Sequence, residues 1–241
     1  MKNFPAVHLL ALEGMPIFEQ LQLEEALMRC GQENFCLINH KSPPAIVMGI
    51  SGKTDELVDP EHYTKSPVPI IRRFSGGGCV LVGPQTLFLT FIFNRSDVDI
   101  GTCPKKLLEW TEELLAPAFG NIGFKVREND YVIGDKKFGG NAQYFTKDRW
   151  LHHTSLLWDF SADEMRILKM PPKMPAYRLQ REHGHFLTRL NQHFPSKQAF
   201  FANIQAALSK QCHLLAKSVE DVHFYTQKPH RKATEFVRWD G

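Results

Sequence analysis

Between residues 35 and 94 the chain passes through five short apolar segments, FCLIN, AIVMGI, VPIIRRF, CVLVG and TLFLTFIFN, separated by Pro, Gly, Ser and Asn. Runs of this length, rich in Val, Ile and Phe and bounded by turn formers, read as strands, so the stretch reads as a sheet. Helices bracket it. Residues 17 to 30, IFEQLQLEEALMRC, set Ile17, Leu21, Leu23, Ala26, Leu27 and Met28 at mostly three-to-four spacing around Glu19, Glu24 and Glu25, the pattern of an amphipathic helix. A second helix, rich in Leu and Glu, is expected over about 104 to 118, with Pro104 suited to its first turn. YVIGDKKFGG and WLHHTSLLWDF resume the strand pattern, and residues 194 to 210 return to helical periodicity. Three prolines mark residues 169 to 184 as an ordered or hinged loop that can serve as a lid. The basic tail RKATEFVRWDG reads as a short peripheral strand or a frayed extension. Helices and strands alternate irregularly, which favours a single α+β domain over 1 to 241, a mixed and mostly antiparallel sheet flanked by helices.

Composition narrows the function classes. With 29 Lys and Arg against 26 Asp and Glu, the net charge of +3 gives no field of the kind that nucleic-acid or anionic-membrane binding requires. No segment reaches the roughly 20 apolar residues of a membrane-spanning helix, and the N-terminus holds no signal-like apolar run. Cys30, Cys36, Cys79, Cys103 and Cys212 form no CxxC pair and are odd in number, which argues for reduced thiols in a cytoplasmic protein.

Arg72-Arg73-Phe74-Ser75-Gly76-Gly77-Gly78 lies between two strand-like runs. Three glycines remove every Cβ from the turn, so a ligand can come against bare backbone N–H groups, and arginine forks suit phosphate or carboxylate. The alternative is a hairpin turn with incidental arginines. Neither GxGxxG nor GxxxxGK[ST] is present. Farther on, Asn129-Asp130 precedes Asp135-Lys136-Lys137-Phe138-Gly139-Gly140-Asn141-Ala142. Lys137 at a strand edge beside glycines can neutralise a developing oxyanion, and Asp130 can hold magnesium through oxygen, although a solvated hairpin lysine and a turn-capping Asp account for the same pattern. His152 and His153 sit on one strand and point to opposite faces, so they cannot jointly chelate a metal. His183 and His185 have no convincing third ligand, which makes zinc improbable. Cys79 reads as a small buried hydrophobe.

The ordered set RRFSGGG, ND, GDKKFGGNAQ and HHTSLL resembles the lipoate-protein ligase A family, which shares its catalytic-domain fold with biotin protein ligases and octanoyltransferases. The likeness covers about residues 17 to 190, and AIVMGISGK resembles the stretch that plant-type members carry. Each motif alone is weak; their order is specific. The resemblance implies the biotin/lipoate ligase catalytic-domain fold and a two-step reaction: lipoate and ATP with Mg2+ give lipoyl-AMP, and a lysine of a lipoyl domain then displaces AMP. It implies that Lys137 contacts acyl carbonyl and phosphate, that Asp130 serves the metal, and that Arg72, Arg73, Ser75, Gly76, Gly77, Gly78, Asn129, Gly139, Gly140, Asn141, Ala142 and His153 line the acyl-adenylate pocket. Leu21 and Glu25 would stand near the lipoyl tail.

Implied partners are the lipoyl domains of 2-oxoacid dehydrogenase E2 subunits and the glycine cleavage H protein, with lipoate or octanoate as acid. A separate accessory subunit is a further candidate, because the chain ends without the C-terminal accessory domain of many bacterial ligases. Two departures stand out: Gly139-Gly140-Asn141-Ala142 where many bacterial ligases have serines, and GISGK in place of an Arg/Gln-rich stretch. The nearest rival is an octanoyl/lipoyl transferase acting between carrier proteins through a cysteine thioester. It would need a thiol in the loop from Ser161 to His183, which contains no cysteine. Biotin ligase and a non-enzymatic binder are weaker rivals.

Overall fold

The computed structural model describes residues 4–171 and 174–239. Residues 172 and 173 of the expected lid segment, and 240 and 241 of the tail, lie outside the described residues. The chain begins with β1 (Ala6–Glu13), α1 (Ile17–Cys30), β2 (Asn34–His40) and β3 (Ala45–Met48). Two short helices, α2 (Thr54–Leu57) and α3 (Pro60–Lys65), lead to β4 (Ile70–Arg72), β5 (Cys79–Val82) and β6 (Thr86–Asn94). After α4 (Pro104–Phe119) come β7 (Phe124–Arg127), β8 (Asp130–Ile133), β9 (Lys136–Phe145) and β10 (Arg149–Leu157). The remainder holds α5 (His183–Phe186), α6 (Lys197–Leu208), β11 (His213–Lys217), α7 (Glu220–Gln227) and β12 (Glu235–Val237).

Eight strands form one sheet in the order β11-β1-β2-β6-β10-β9-β8-β7. The β11-β1-β2 end is parallel and the rest antiparallel. The mixed α+β architecture is therefore as expected. The five segments at 35 to 94, however, do not form one sheet. β2 and β6 join the large sheet, whereas β3, β4 and β5 join β12 in a second sheet ordered β12-β4-β3-β5. Register between distant strands is set by long-range pairing, which local pattern does not encode.

β6 shows why its sequence is almost continuously apolar. Leu87, Leu89, Phe91 and Phe93 enter a core beneath α4 and α6, together with Trp150, Leu114 and Phe200. Ile92 on the opposite face joins Leu27, Phe35 and Leu151 under α1 and α7, and Phe88 meets Ile17, Leu21 and Val82 between the two sheets. A strand buried on both faces loses the apolar–polar alternation of a half-exposed one.

α1 and α4 occupy the expected spans, and Pro104 stands in the first turn of α4. α6 opens at Ser196, whose hydroxyl accepts from Ala199 N at 3.1 Å. β1, β11 and α7 were not legible locally. AVHLLALE, for instance, is rich in helix formers, yet parallel pairing on both sides fixes it as a strand. The 169–184 segment contains a 3-10 turn at Ala176–Arg178 and the start of α5. Among the described residues no helix is long and apolar enough to cross a membrane.

Candidate active site

A cavity of about 650 Å3 opens between the two sheets. Ile17, Leu21, Val47, Val80, Val82 and Phe88 make one arm apolar. The other end is polar, with Asn129, Asp130, Lys137, Gly140, Asn141 and Ala142 from the β8–β9 hairpin. Arg73 and the Gly76-Gly77-Gly78 turn lie on its wall, as does His153 of β10. These residues, scattered over 137 positions of sequence between Ile17 and His153, are gathered by the register that sets His153 opposite Ala142 on one side and Thr90 on the other.

At the polar end Lys137 Nζ lies 2.7 Å from Asp130 Oδ1, and Tyr177 donates its hydroxyl to Asp130 Oδ2 at 2.8 Å. Burial first, and the Asp130 carboxylate next, push the Tyr177 pKa upward and keep this hydroxyl a donor. Gly140 leaves room for the lysine: a Cβ there would sit 3.3 Å from Lys137 Nζ. Asn141 donates to Asn129 O at 3.0 Å and accepts from Thr154 Oγ1 at 2.6 Å, which ties the hairpin to β10.

The glycine turn is braced from behind. Arg73 Nη2 donates to Gly76 O at 2.8 Å and to Gly78 O at 3.0 Å. Gly77 has φ +106°, and a Cβ there would stand 2.6 Å from Arg73 Nη2, so both backbone and space call for glycine.

Not every expected site residue reaches the cavity. Glu25 is fully buried elsewhere: its carboxylate accepts from Ala233 N and Thr234 N, each at 3.0 Å, and pairs with Arg29 Nε at 3.0 Å. Ile17, Gln20, Leu21 and Glu24 form the cavity stripe of α1, and Glu25 lies about a quarter turn of helix away from its centre. Glu24 is thus the acidic residue that α1 brings to the cavity. Arg72 points to the opposite strand face from Arg73 and pairs with Glu235 at 2.6 Å. Ser75 is buried behind the turn against His153. Gly139 serves packing, since a Cβ there would meet Leu156 Cδ2 at 2.8 Å.

The strand alternation at His152 and His153 is as expected. His153 faces the site, while His152 is fully buried against Tyr131, its Nε2 3.0 Å from the phenol oxygen. Burial, then the neighbouring His153, pushes the His152 pKa from 6.5 to about 3. The unfolded chain therefore takes up a proton near pH 6.5 that the folded chain refuses until about 3. Stability is full above pH 6.5 and falls as pH is lowered through this window, by at most about 1.4 kcal/mol per pH unit. A His152→Gln variant should show a flatter urea-unfolding profile across this range, and an unchanged slope would remove His152 as its cause.

Three further groups lining the cavity, Lys169, Arg178 and His183, come from the segment after β10. Burial, then Arg178 and Lys137, lowers the His183 pKa and favours its neutral form. Their irregular backbone carries no periodic signal. Among the described residues no group of three or more His, Cys, Asp or Glu can share a metal ion. Asp130 offers one carboxylate, which fits a magnesium ion that keeps its waters and takes phosphate oxygens but not an ion held by protein alone.

The family model for the lipoyl protein ligase A/B catalytic domain matches residues 16–212. The chain belongs to that family. A Plasmodium falciparum protein named inactive lipoate–protein ligase 2 is 27% identical over 246 residues, covering 77% of this chain and 64% of that one. Lipoate–protein ligase 1 of Staphylococcus aureus is 27% identical over 63% of this chain and 46% of its own. This chain thus spans roughly half to two thirds of those relatives' lengths. The fold is shared with the bipartite lipoate protein ligase of Thermoplasma acidophilum, at TM-score 0.74 and 19% identity over 92% of this chain and 91% of that one. A lipoate-protein ligase A bound with ATP superposes at TM-score 0.73 and 17% identity, covering 93% of each chain.

Proposed function

We propose that this member of the family activates lipoate as lipoyl-AMP and transfers the acyl group to a lysine of a lipoyl domain. The observation that carries the reading is one cavity with an apolar arm at one end and the Asp130–Lys137 pair at the other, with the glycine turn on its wall. The apolar arm suits a C8 acyl chain. A lipoate carboxylate oxygen would attack the α-phosphorus of ATP, and pyrophosphate leaves. A neutral lysine amine would then attack the acyl carbon, losing a proton and expelling AMP.

Both steps concentrate negative charge on oxygens beside Lys137, and a cation brought against those oxygens lowers that barrier. Lys137 would leave Asp130 for those oxygens, while Tyr177 keeps its hold on the carboxylate. Asp130 would also hold Mg2+, which neutralises phosphate charge when bound. E2 lipoyl domains and the glycine cleavage H protein are the proposed acceptors, and a separate subunit is a proposed partner. The Thermoplasma ligase, described as bi-partite, supports that last point.

A thioester-forming transferase is the second reading, since the family joins both types. Cys79 lies on the cavity wall, but burial pushes its thiol up to about 12, which disfavours a thiolate. Pyrophosphate release should be assayed with lipoate, octanoate and biotin separately, followed by transfer to a lipoyl domain. Release with lipoate or octanoate is expected. Acylation of Cys79 from octanoyl carrier protein without pyrophosphate would select the transferase instead.

A further inference from the structure

Four buried side chains form a single line behind the glycine turn. Glu24 Oε2 lies 2.8 Å from His153 Nδ1, and His153 Nε2 lies 2.8 Å from Ser75 Oγ. Arg73 Nε donates to the same Ser75 Oγ at 3.1 Å. The other Glu24 oxygen accepts from Gln20 Nε2 and Thr90 Oγ1, each at 2.7 Å. All four are at most 9% exposed, and Glu24 and Ser75 are fully enclosed. Among the described residues Arg73 forms no ion pair with a carboxylate, and the Glu24 carboxylate meets no lysine or arginine, only the imidazole of His153.

The polarity of the line follows from its ends. A guanidinium has only donors, so Ser75 Oγ accepts from Arg73. The serine hydrogen then has His153 Nε2 as its acceptor, which requires a lone pair there. The proton of a neutral imidazole is therefore on Nδ1, facing Glu24. The other tautomer would aim two donors at Ser75 Oγ, leave the serine hydrogen without an acceptor among these contacts, and set a lone pair against the carboxylate.

We propose that Glu24 is the counter-ion of Arg73 and a positioning residue for the glycine turn, acting through neutral His153 and Ser75. A buried cation needs a compensating charge, and two charges in a low-dielectric interior interact without touching. Neutral dipoles between them, all oriented the same way, carry that attraction. Arg73 can then remain buried with its Nη2 donors on the carbonyls of Gly76 and Gly78. Glu24 thus sets the shape of a turn that lies about 50 residues beyond its own helix in sequence.

The effect on rate rests on the ligase reading; the tautomer and the charge coupling do not. The first measurement is the 15N spectrum of the ligand-free protein at pH 8, with the His153 signal assigned by its loss in His153→Asn. An Nδ1–H neutral imidazole is expected, and an Nε2–H tautomer or an imidazolium overturns the relay. The second is urea unfolding of Glu24→Gln, Arg73→Gln and the double variant. The two losses should be strongly non-additive, with the double variant at least as stable as Glu24→Gln alone, whereas additive losses overturn the counter-ion. Should Arg73→Gln fail to fold, Ser75→Ala takes its place in the cycle, and additive losses from Glu24→Gln and Ser75→Ala overturn the counter-ion.

In the pyrophosphate assay Glu24→Gln and Ser75→Ala should each lower turnover by about tenfold, the loss expected from one disrupted buried charge-assisted contact. Combining them should add little, since both break one line. Full turnover in Glu24→Gln beside an impaired Ser75→Ala overturns the positioning role. If the wild-type protein releases no pyrophosphate with any acid, the ligase reading fails, and the spectrum and the unfolding cycle still decide the relay.

Discussion

Lys137→Ala is expected to lower pyrophosphate release by about a hundred- to a thousandfold, the range seen when one preorganised oxyanion contact is removed. Its effect on folding should be small. The lysine side chain is 24% exposed and among the described residues its ion pair is with Asp130, and partly exposed pairs contribute at most about 1 kcal/mol. Asp130 keeps its bond from the Tyr177 hydroxyl when the lysine is gone. A continuous pyrophosphate assay beside urea unfolding separates the two effects. Near-normal lipoylation by the variant would overturn the role given to Lys137.

Gly49→Ala should do the opposite, damaging the fold first and the chemistry as a result. A Cβ at Gly49 would lie 2.2 Å from Gly77 O and 3.1 Å from Gly76 C, both backbone atoms with no side-chain freedom to absorb the clash. The same stretch is stitched to the turn, with Gly49 N donating to Gly78 O at 3.2 Å and Ile50 N to Ser75 O at 2.9 Å. Displacing either strand end breaks those bonds, and a loss of about 3 kcal/mol is expected. Gly76→Ala is the control. Nothing lies within 4 Å of its added Cβ, so stability should change by no more than about 0.5 kcal/mol. Turnover should still fall, because the added methyl stands where a substrate would approach bare backbone. Equal unfolding midpoints for the two variants would contradict this division of labour.

The helices α1 and α4 were legible because apolar periodicity and a bounding proline suffice to mark a helix, and both have them, although α1 is buried on nearly all sides. The strands were legible one by one. Their division between two sheets was not, since β3 and β6 look alike locally and differ only in which distant strand each pairs with. At the site, the triple glycine and Lys137 stood out as residue types, but a hairpin turn and a solvated lysine fitted the same pattern, and only the ordered set of motifs favoured a site. Two adjacent pairs were beyond local reading. Arg72 and Arg73 occupy opposite faces of an extended chain, and which face meets the cavity depends on the second sheet. Glu24 and Glu25 are both fully buried, an uncommon fate for neighbouring acids. Only the arrival of residues 233 and 234 explains where the second carboxylate goes.

That arrival has a consequence for how the chain matures. β12 pairs with β4 through Glu235, Phe236 and Val237 opposite Arg72, Ile71 and Ile70, and Phe236 stacks on Phe18 at 3.9 Å between centroids. Until residues 233–237 have left the ribosome, β4 is the bare margin of the small sheet, and Glu25 lacks the backbone amides that satisfy it inside the protein. The nascent chain therefore carries the strand that leads into the Arg-Arg-Phe-Ser-Gly turn unpaired on one side until β12 follows, a template for unwanted pairing with other chains. The turn gains its final neighbour only when translation has passed more than 150 residues beyond it.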